Sequence, residues 1–241
     1  MSEQRAGKGT LYLIPVGLGG GDARSELPSA TLDIARGLAT FFAENAKTAR
    51  AFLKAIGHPR PLQKLSFHLL DEHTSEADIE PLVELLLKGE NCGLVSEAGC
   101  PAVADPGAAL VRRAHEAGVR VIPLVGPSSI LLALMASGMD GQRFAFHGYL
   151  PVDKAERARR LKELEQRARG ETQIFIETPY RNAAMLQSLL EHCRGDTLLC
   201  VAADLTLPGG SVTTRAISEW KKKPPALDRR LVVFLLFREL G

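Results

Sequence analysis

The stretch CGLVSEAGCPAVADPG, residues 92–107, decides how this chain can fold. Its first four residues suit a buried strand, and the twelve that follow contain two acidic residues, two glycines and two prolines. A loop under so many conformational constraints is costly to keep as a mere connector. The pattern therefore predicts a strand that ends in a functional loop, the usual place for a ligand in a parallel sheet.

Short segments of the same kind recur along the first half of the chain, with helical segments between them. This alternation is typical of βαβ units and predicts a mostly parallel sheet covered by helices. The segment 32–56 could be one helix, but Gly37 and the Thr40 cluster favour a helix, a strand and a second helix. The predicted strands are residues 11–15, 40–43, 65–69, 92–95 and 119–123.

After residue 171 helices become rare. Only one long helix is predicted, near residues 180–193, and the strands after it follow one another without helices. Such a run predicts a mixed sheet with antiparallel members. The strands predicted here are residues 173–177, 198–203, 211–217 and 231–237. We therefore expect an α/β protein with two α/β domains, residues 1–124 with a mostly parallel sheet and residues 125–241 with a mixed sheet, and a cleft between them.

Several predicted helices carry end signals. Asp105 precedes a proline suited to the first helical position, so we expect it to cap a helix that ends at Gly118. The dipeptide Gly126-Pro127 opens the next predicted helix, which ends near Gly138.

The helix predicted over residues 153–169 is strongly charged, with seven Lys and Arg against four Asp and Glu. Asp153 and Glu156 are spaced as a capping box. Pairs four residues apart, such as Glu156 and Arg160, favour a solvated face, and a surface facing RNA or a protein partner is the alternative. The basic residues that would build that surface are Arg157, Arg159, Arg160 and Lys162.

Composition and charge narrow the class of protein. The 241 residues carry a net charge of +2 at pH 7, which excludes a protein that holds nucleic acid by charge alone. The four cysteines show neither a CxxC pair nor zinc-like spacing, so we expect reduced thiols and no metal. The apolar runs fall far below the ~20 residues of a membrane span, and the N-terminus lacks the apolar core of a signal peptide. These features predict a soluble cytoplasmic protein without a membrane partner.

Glycine is dense after the first predicted strand, at Gly17 and residues 19–21. The spacing fails the dinucleotide pattern GxGxxG because the last position is Asp22, so a ligand loop and a plain turn both remain open. PLVGPSSI, residues 123–130, again ends a strand in glycine and opens a helix. We expect these two loops and residues 96–99 to converge at one edge of one sheet, with ligand contact at residues 96–99 because Gly99 permits close backbone approach.

Two more motifs come from the second half, FIETPYR at 175–181 and VAADLT at 201–206. In this order, the motifs resemble the tetrapyrrole methylase family of S-adenosylmethionine-dependent methyltransferases over nearly the whole chain. They are most similar to the branch that methylates a cytidine 2′-hydroxyl of small-subunit ribosomal RNA. SEAGCPAVADPG resembles that branch's S-D-A-G-T-P…D-P-G, PLVGPSSI its P-L-P-G-P, GYLP its G-F-L-P, and FIETPYR its F-Y-E-S-x-x-R.

The chain departs from that branch where substrate would be held. The branch has A-E-D-T-R where this chain reads AENAKTAR, residues 43–50, so Asn45 replaces the Asp and the Arg is displaced, if it is Arg50. A-R-E-L-T-K becomes AADLTLP, and R-G-E before the last strand becomes DRR at 228–230.

The resemblance implies that S-adenosylmethionine lies in the cleft between two α/β domains, commonly in a homodimer. It places main chain and small side chains along the cofactor, with residues from both domains. The implied cofactor-binding residues are Pro15, Val16, Gly17, Ser96, Glu97, Ala98, Gly99, Ser129, Ile130, Ile176 and Ala203.

Methyl transfer from a sulfonium is a direct displacement, so the protein mainly aligns the reactants and excludes water. A sugar hydroxyl has a high pKa and needs a base or a well-placed hydrogen bond. Glu44 and Glu177 are the candidate catalytic carboxylates, although each could instead be a cap or an ion-pair partner. Tyr180 and Arg181 could orient the acceptor or bind phosphate.

Three functions stay open. The first is methylation of a ribose 2′-hydroxyl in ribosomal RNA, which the motifs favour. The second is methylation of a tetrapyrrole or another small molecule, which the near-neutral charge favours. The third is a cofactor-binding protein without catalysis, which acts by interaction.

Overall fold

The computed structural model describes residues 7–19 and 22–239. The chain divides into two compact units, Met1–Ser128 and Ser129–Gly241, called the N-terminal and the C-terminal unit. Each unit contains a five-stranded sheet.

The N-terminal unit alternates strands and helices, as the sequence predicts. Its strands are β1 (Thr10–Ile14), β2 (Thr40–Ala43), β3 (Ser66–Leu69), β4 (Cys92–Val95) and β5 (Arg120–Pro123). Its helices are α1 (Ala23–Glu26), α2 (Ser29–Gly37), α3 (Ala46–Ala55), α4 (Glu76–Leu87) and α5 (Ala108–Glu116), with a 3-10 turn at Leu62–Lys64.

The N-terminal sheet has the order β3-β2-β4-β1-β5, and every pairing is parallel. Strands β2 and β4 are buried at every residue because helices cover both faces. One face packs against α4 and α5 around Leu86 and Leu110, and the other packs against α2 and α3 around Ala35 and Leu53. The predicted parallel sheet is therefore confirmed.

The C-terminal unit contains the mixed sheet. Its strands are β6 (Phe144–Tyr149), β7 (Thr172–Glu177), β8 (Leu198–Ala203), β9 (Ser211–Ala216) and β10 (Val232–Phe237). Its helices are α6 (Ser129–Ser137), α7 (Lys154–Arg167), α8 (Asn182–His192) and α9 (Ile217–Lys222). The order is β6-β7-β10-β8-β9, in which β6 and β7 are parallel and the other pairs antiparallel.

Two elements of this unit were not predicted. Strand β6 is an edge strand whose residues are all at least partly exposed, so it lacks a continuous apolar run. The short helix α9 separates β9 from β10, so the expectation that these strands follow without a helix is wrong. It is anchored by Trp220, whose indole N–H donates to Leu199 O at 2.9 Å.

The centre of the C-terminal sheet is apolar on both faces. Phe175 and Phe234 stack with ring centres 5.6 Å apart, on the face that α7 and α8 cover. Helix α6 covers the opposite face through Ala133 and Leu134. Within the described residues, no helix combines the length and the apolar character needed to cross a bilayer.

Candidate functional site

The carboxyl edge of the N-terminal sheet carries the loops that the motifs single out. Since β2, β4, β1 and β5 are consecutive and parallel, the loops that follow them emerge side by side. This edge is where open α/β sheets bind small ligands.

Contacts join the loops after β1, β4 and β5, and together with the loop after β2 these loops are called the rim. Val16 N donates to Gly99 O at 2.9 Å, an isolated bridge between the loops after β1 and β4. Cys100 Sγ lies 3.5 Å from Pro127 O, which links the β4 loop to the β5 loop. Residues 15–17, 96–99 and 124–127 therefore converge, as the sequence indicates.

Glycine is required in this rim because other parts of the chain pack closely against it. A Cβ on Gly17 would stand 2.7 Å from Glu26 Oε2, and one on Gly126 would stand 2.4 Å from Pro15 Cβ. Gly99 adopts φ +69°, a left-handed conformation that favours glycine. Glu26 also accepts a hydrogen bond from Leu18 N at 3.0 Å. Residues 20 and 21 lie outside the described residues.

The rim is acidic. Glu44 follows β2, and Glu97 and Asp105 follow β4, in the loop that begins with the buried Ser96. Thr48 Oγ1 donates to Glu97 Oε1 at 2.5 Å, which ties the start of α3 to the β4 loop. Ser96 Oγ accepts from Ala98 N at 3.2 Å and shapes the turn between them.

Two of these carboxyls have raised pKa values. Burial raises the pKa of Asp105 to about 6, a hydrogen bond with Ser96 opposes the shift, and the negative charges of Glu44 and Glu97 add to it. The pKa of Glu44 is raised by burial first and then by Glu97. Three carboxyls that influence one another at the ends of two strands form an electronegative site, which favours a positively charged ligand.

Asp105 is not a helix cap, and that prediction is wrong. Helix α5 begins at Ala108 with Gly107 at its N-cap, and no side chain caps it. Gly107 has φ +125°, and Leu94 Cδ2 lies 2.5 Å from where its Cβ would stand. The turn at Gly107 thus separates Asp105 from the helix and leaves its carboxyl beside Ser96.

The departures near α3 have structural roles. Asn45 Oδ1 accepts from Lys47 N at 2.9 Å and caps α3. The Arg50 guanidinium lies 4.5 Å from the centre of the Phe67 ring, a cation–π contact. Both residues stabilise the wall of the rim next to Glu44.

In the C-terminal unit the candidate Glu177 ends β7, and the candidates Tyr180 and Arg181 lie in the turn that follows it. Glu177 Oε1 accepts from Thr178 N and from Arg181 Nε, both at 2.7 Å. The Glu177 side chain is 1% exposed and that of Arg181 is 27% exposed. The pair therefore fixes a partly exposed guanidinium beside Tyr180. Glu44 belongs to the other unit.

The candidates Ile176 and Ala203 end two strands that flank β10. Ile176 pairs with Val233, and Ala203 pairs with Val232. Neighbouring residues of β10 face opposite sides, so the side chains of Ile176 and Ala203 point to opposite faces of the sheet. A ligand shared by both would meet at least one of them through main chain. Ser129 and Ile130 form the start of α6 and are partly buried.

Residues 10–220 match the family described as Tetrapyrrole (Corrin/Porphyrin) Methylases. This chain belongs to the tetrapyrrole methylase family. It is therefore a methyltransferase, and the resemblance seen in its motifs is confirmed.

Curated relatives named Ribosomal RNA small subunit methyltransferase I are similar to this methylase. The protein from Xylella fastidiosa is 35% identical, and the alignment covers 82% of this chain and 69% of that protein. The relative from Bacillus subtilis is 33% identical over 82% of this chain and 64% of its own length. The relative from Haemophilus influenzae is 30% identical over 95% and 78%. The methylase thus matches about two thirds to three quarters of each relative's length.

Solved structures share the fold. The methyltransferase CobJ superposes with a TM-score of 0.62 at 18% identity, over 98% of both chains. The uroporphyrin-III-C-methyltransferase from Thermus thermophilus gives 0.55 at 19% identity, over 95% of this chain and 92% of that one. At these identities the likeness concerns the fold alone.

One pair in the methylase was not singled out from the sequence. Asp204, at φ +51°, follows β8, accepts from Arg230 Nε at 2.6 Å and accepts from Leu231 N at 2.9 Å. These bonds clamp the loop after β8 to the segment before β10. The sequence does contain a signal for this pair. The motifs AADLTLP and DRR both depart from the ribosomal RNA branch, and they place an acidic residue in one motif and a basic residue in the other.

The basic surface proposed for α7 is smaller than the sequence suggests. Arg157 is buried, and its guanidinium donates to Ser188 Oγ at 2.9 Å and to Val152 O at 2.8 Å. Arg160 contacts Glu163 and His147. Arg159 and Lys162 are exposed. Asp153 accepts from Glu156 N at 2.9 Å, as expected for the cap of this helix.

Proposed function

We propose that this methylase transfers a methyl group from S-adenosylmethionine to a ribose 2′-hydroxyl of small-subunit ribosomal RNA. The observation that supports this choice of substrate is a set of relatives that are named for ribosomal RNA methylation and are similar over most of this chain. The acidic rim of the N-terminal unit is the feature that supports S-adenosylmethionine as the cofactor.

The charge of the rim supports S-adenosylmethionine as the cofactor. The cofactor carries a sulfonium, an ammonium and one carboxylate, a net positive charge that Glu44, Glu97 and Asp105 attract. Ala98 is exposed next to the buried Ser96, and its small side chain lets a flat ligand approach the main chain of this loop. The residues that would hold it are Pro15, Val16, Gly17, Ser96, Glu97, Ala98 and Gly99, with Ser129, Ile130, Ile176 and Ala203 from the C-terminal unit.

The bound cofactor supplies an electrophilic methyl group, and the chain's own residues position the acceptor. We assign Glu44 to the acceptor side, where its carboxylate receives the hydroxyl proton or orients the hydroxyl by a hydrogen bond. Its raised pKa makes it a better proton acceptor than an ordinary glutamate at neutral pH. Arg181, held by Glu177, binds a phosphate of the RNA, and Tyr180 lies beside it.

Charge is distributed unevenly between the units, in keeping with an RNA substrate. Residues 129–241 contain 17 Lys and Arg against 13 Asp and Glu, a net charge of +4. Residues 1–128 contain 13 against 15, a net charge of −2. The C-terminal unit therefore attracts a polyanion, and the N-terminal unit attracts the cationic cofactor.

The test is methyl transfer to small ribosomal subunits isolated from cells that lack this gene. With S-adenosylmethionine labelled in its methyl group, we expect label in one 2′-O-methylated nucleoside by mass spectrometry. Glu44→Gln should reduce the rate strongly, and Asp33→Asn, which alters an exposed acid on α2, should not. Label in a tetrapyrrole and none in RNA would favour the small-molecule alternative, and no transfer to any acceptor would favour a non-catalytic role.

We also propose that the methylase works in the cytoplasm as a homodimer, as the family resemblance implies. Leu131 and Met135 support self-association, because both project from one side of α6 and are 52% and 79% exposed. Sedimentation equilibrium should give twice the chain mass. A monomer at micromolar concentration would contradict the dimer.

A further inference from the structure

Two of the three tyrosines in the chain have exposed rings. Tyr149 is 54% exposed and Tyr180 is 86% exposed, whereas Tyr12 is packed against the N-terminal core. Large aromatic side chains are usually covered because burying them is strongly favourable. Among the described residues, neither exposed tyrosine forms an aromatic pair.

The two rings belong to one edge of the C-terminal sheet. Strands β6 and β7 are parallel neighbours, and Tyr149, the last residue of β6, pairs with Ile176 near the end of β7. Tyr180 stands three residues beyond the end of β7, in the turn that leads into α8. Both side chains therefore lie at the carboxyl ends of adjacent strands.

The turn that carries Tyr180 is fixed on both sides. Glu177 accepts hydrogen bonds from Thr178 N and Arg181 Nε, and Arg181 N donates to Thr178 O at 2.9 Å. Asn182 is fully buried and donates to Leu227 O and Arg230 O at 3.2 and 2.8 Å. The ring is thus exposed on a rigid support, which lowers the entropy cost of binding a partner.

We propose that Tyr149 and Tyr180 form a stacking surface for unpaired bases of the RNA strand that carries the methylated nucleotide. This inference rests on the proposed function and identifies the part of the acceptor site that holds the strand. Aromatic rings beside a fixed arginine in a positively charged unit are the usual components of single-strand binding. Arg181 supplies the phosphate contact next to the rings.

The test measures RNA affinity and cofactor affinity separately. Tyr180→Ala and Tyr149→Ala should each weaken binding of a fluorescent single-stranded fragment of the substrate RNA by about 5- to 150-fold. Tyr180→Trp should retain affinity because it keeps a flat ring. Tyr180→Leu should behave like the alanine variant, because it keeps apolar surface and loses the ring.

The matched control is Phe144→Ala, which removes a partly exposed ring from the opposite end of β6. It should leave RNA affinity unchanged, and all variants should bind S-adenosylmethionine like the wild type. If the wild type methylates ribosomal RNA and the tyrosine variants bind RNA equally well, the stacking surface is wrong and the proposed function stands. If the wild type binds S-adenosylmethionine and neither binds nor methylates the RNA, both fail.

Discussion

Glu177 and Arg181 form an ion pair in which one partner is buried and the other reaches the surface. Arg181 Nη2 lies 2.5 Å from Glu177 Oε1, the same oxygen that accepts from Thr178 N. The carboxylate would be uncompensated without the guanidinium, because its side chain is 1% exposed. The pair is therefore a structural element as well as a candidate site.

We expect Arg181→Ala to destabilise the methylase by about 3 kcal/mol, because it leaves a buried charge without its partner. Lys88→Ala, which breaks an exposed pair with Glu84, should cost less than about 0.5 kcal/mol. Urea unfolding followed by circular dichroism measures both. Equal costs for the two variants would show that Glu177 is not held as described.

Gly107 provides a second test of the β4 loop. Gly107→Ala should cost about 2–3 kcal/mol, since an alanine would be strained at φ +125° and would press on Leu94. Gly141→Ala is the matched control, because its Cβ would meet nothing within 4 Å. We expect the control to change the free energy of unfolding by less than about 0.5 kcal/mol. A Gly107→Ala variant as stable as the control would refute the conformation that frees Asp105 from α5.

The raised pKa of Asp105 predicts a stability that depends on pH. The folded chain binds this proton more tightly than the unfolded chain, so the contribution of Asp105 to stability falls as pH rises from the ordinary value of 3.8 to about 6. Asp105→Asn should therefore stabilise the protein at pH 7.5, by about 1 kcal/mol since the group is only half-buried. The gain should shrink as pH approaches 4.

Asp140→Asn is the control of opposite sign. Hydrogen bonds from Gln142 N and Arg143 N lower the pKa of Asp140, so this variant should lose stability at pH 7.5. Thermal unfolding across this pH range measures both. A neutral or destabilising Asp105→Asn at pH 7.5 would contradict the burial of that carboxyl.

Cofactor affinity should depend on the same group. With a pKa of about 6, Asp105 is mostly protonated at pH 5 and mostly ionised at pH 7.5. Because the rim is less negative at pH 5, S-adenosylmethionine should bind about tenfold more weakly there than at pH 7.5. Asp105→Asn should bind weakly at both values and show a flatter profile. Calorimetry in matched buffers measures this, and a wild-type affinity that does not change with pH would exclude Asp105 from the cofactor site.

The sequence was sufficient for the fold because its signals are local and repeated. Alternating apolar strands and amphipathic helices predicted the parallel sheet, and consecutive strands predicted the mixed sheet. Strand β6 was missed because an exposed edge strand carries a weaker apolar pattern than a buried one. The short helix α9 was missed because a helix of this length depends on tertiary contacts such as Trp220 with Leu199 O.

The site was harder to predict from the sequence than the fold, because the roles of its side chains depend on contacts between residues that are distant in the sequence. Asp105 has good capping chemistry, and only the packing of Gly107 against Leu94 separates it from α5. The sequence places Arg157 on a solvated basic face. In the structure it is buried, because Ser188 and the carbonyl of Val152 accept hydrogen bonds from its guanidinium. Gly17 and Gly126 suggest that a ligand approaches the main chain, but the space beside them is occupied by Glu26 and Pro15.

The most direct test of this account is isothermal titration of the intact methylase with S-adenosylmethionine at pH 7.5, alongside Ser96→Val. We expect saturable binding to the wild type with one cofactor per chain, and strongly reduced affinity in the variant, which should remain folded by circular dichroism. Absence of binding to the folded wild type, or equal affinity in the variant, would contradict the assignment of the cofactor to the acidic rim.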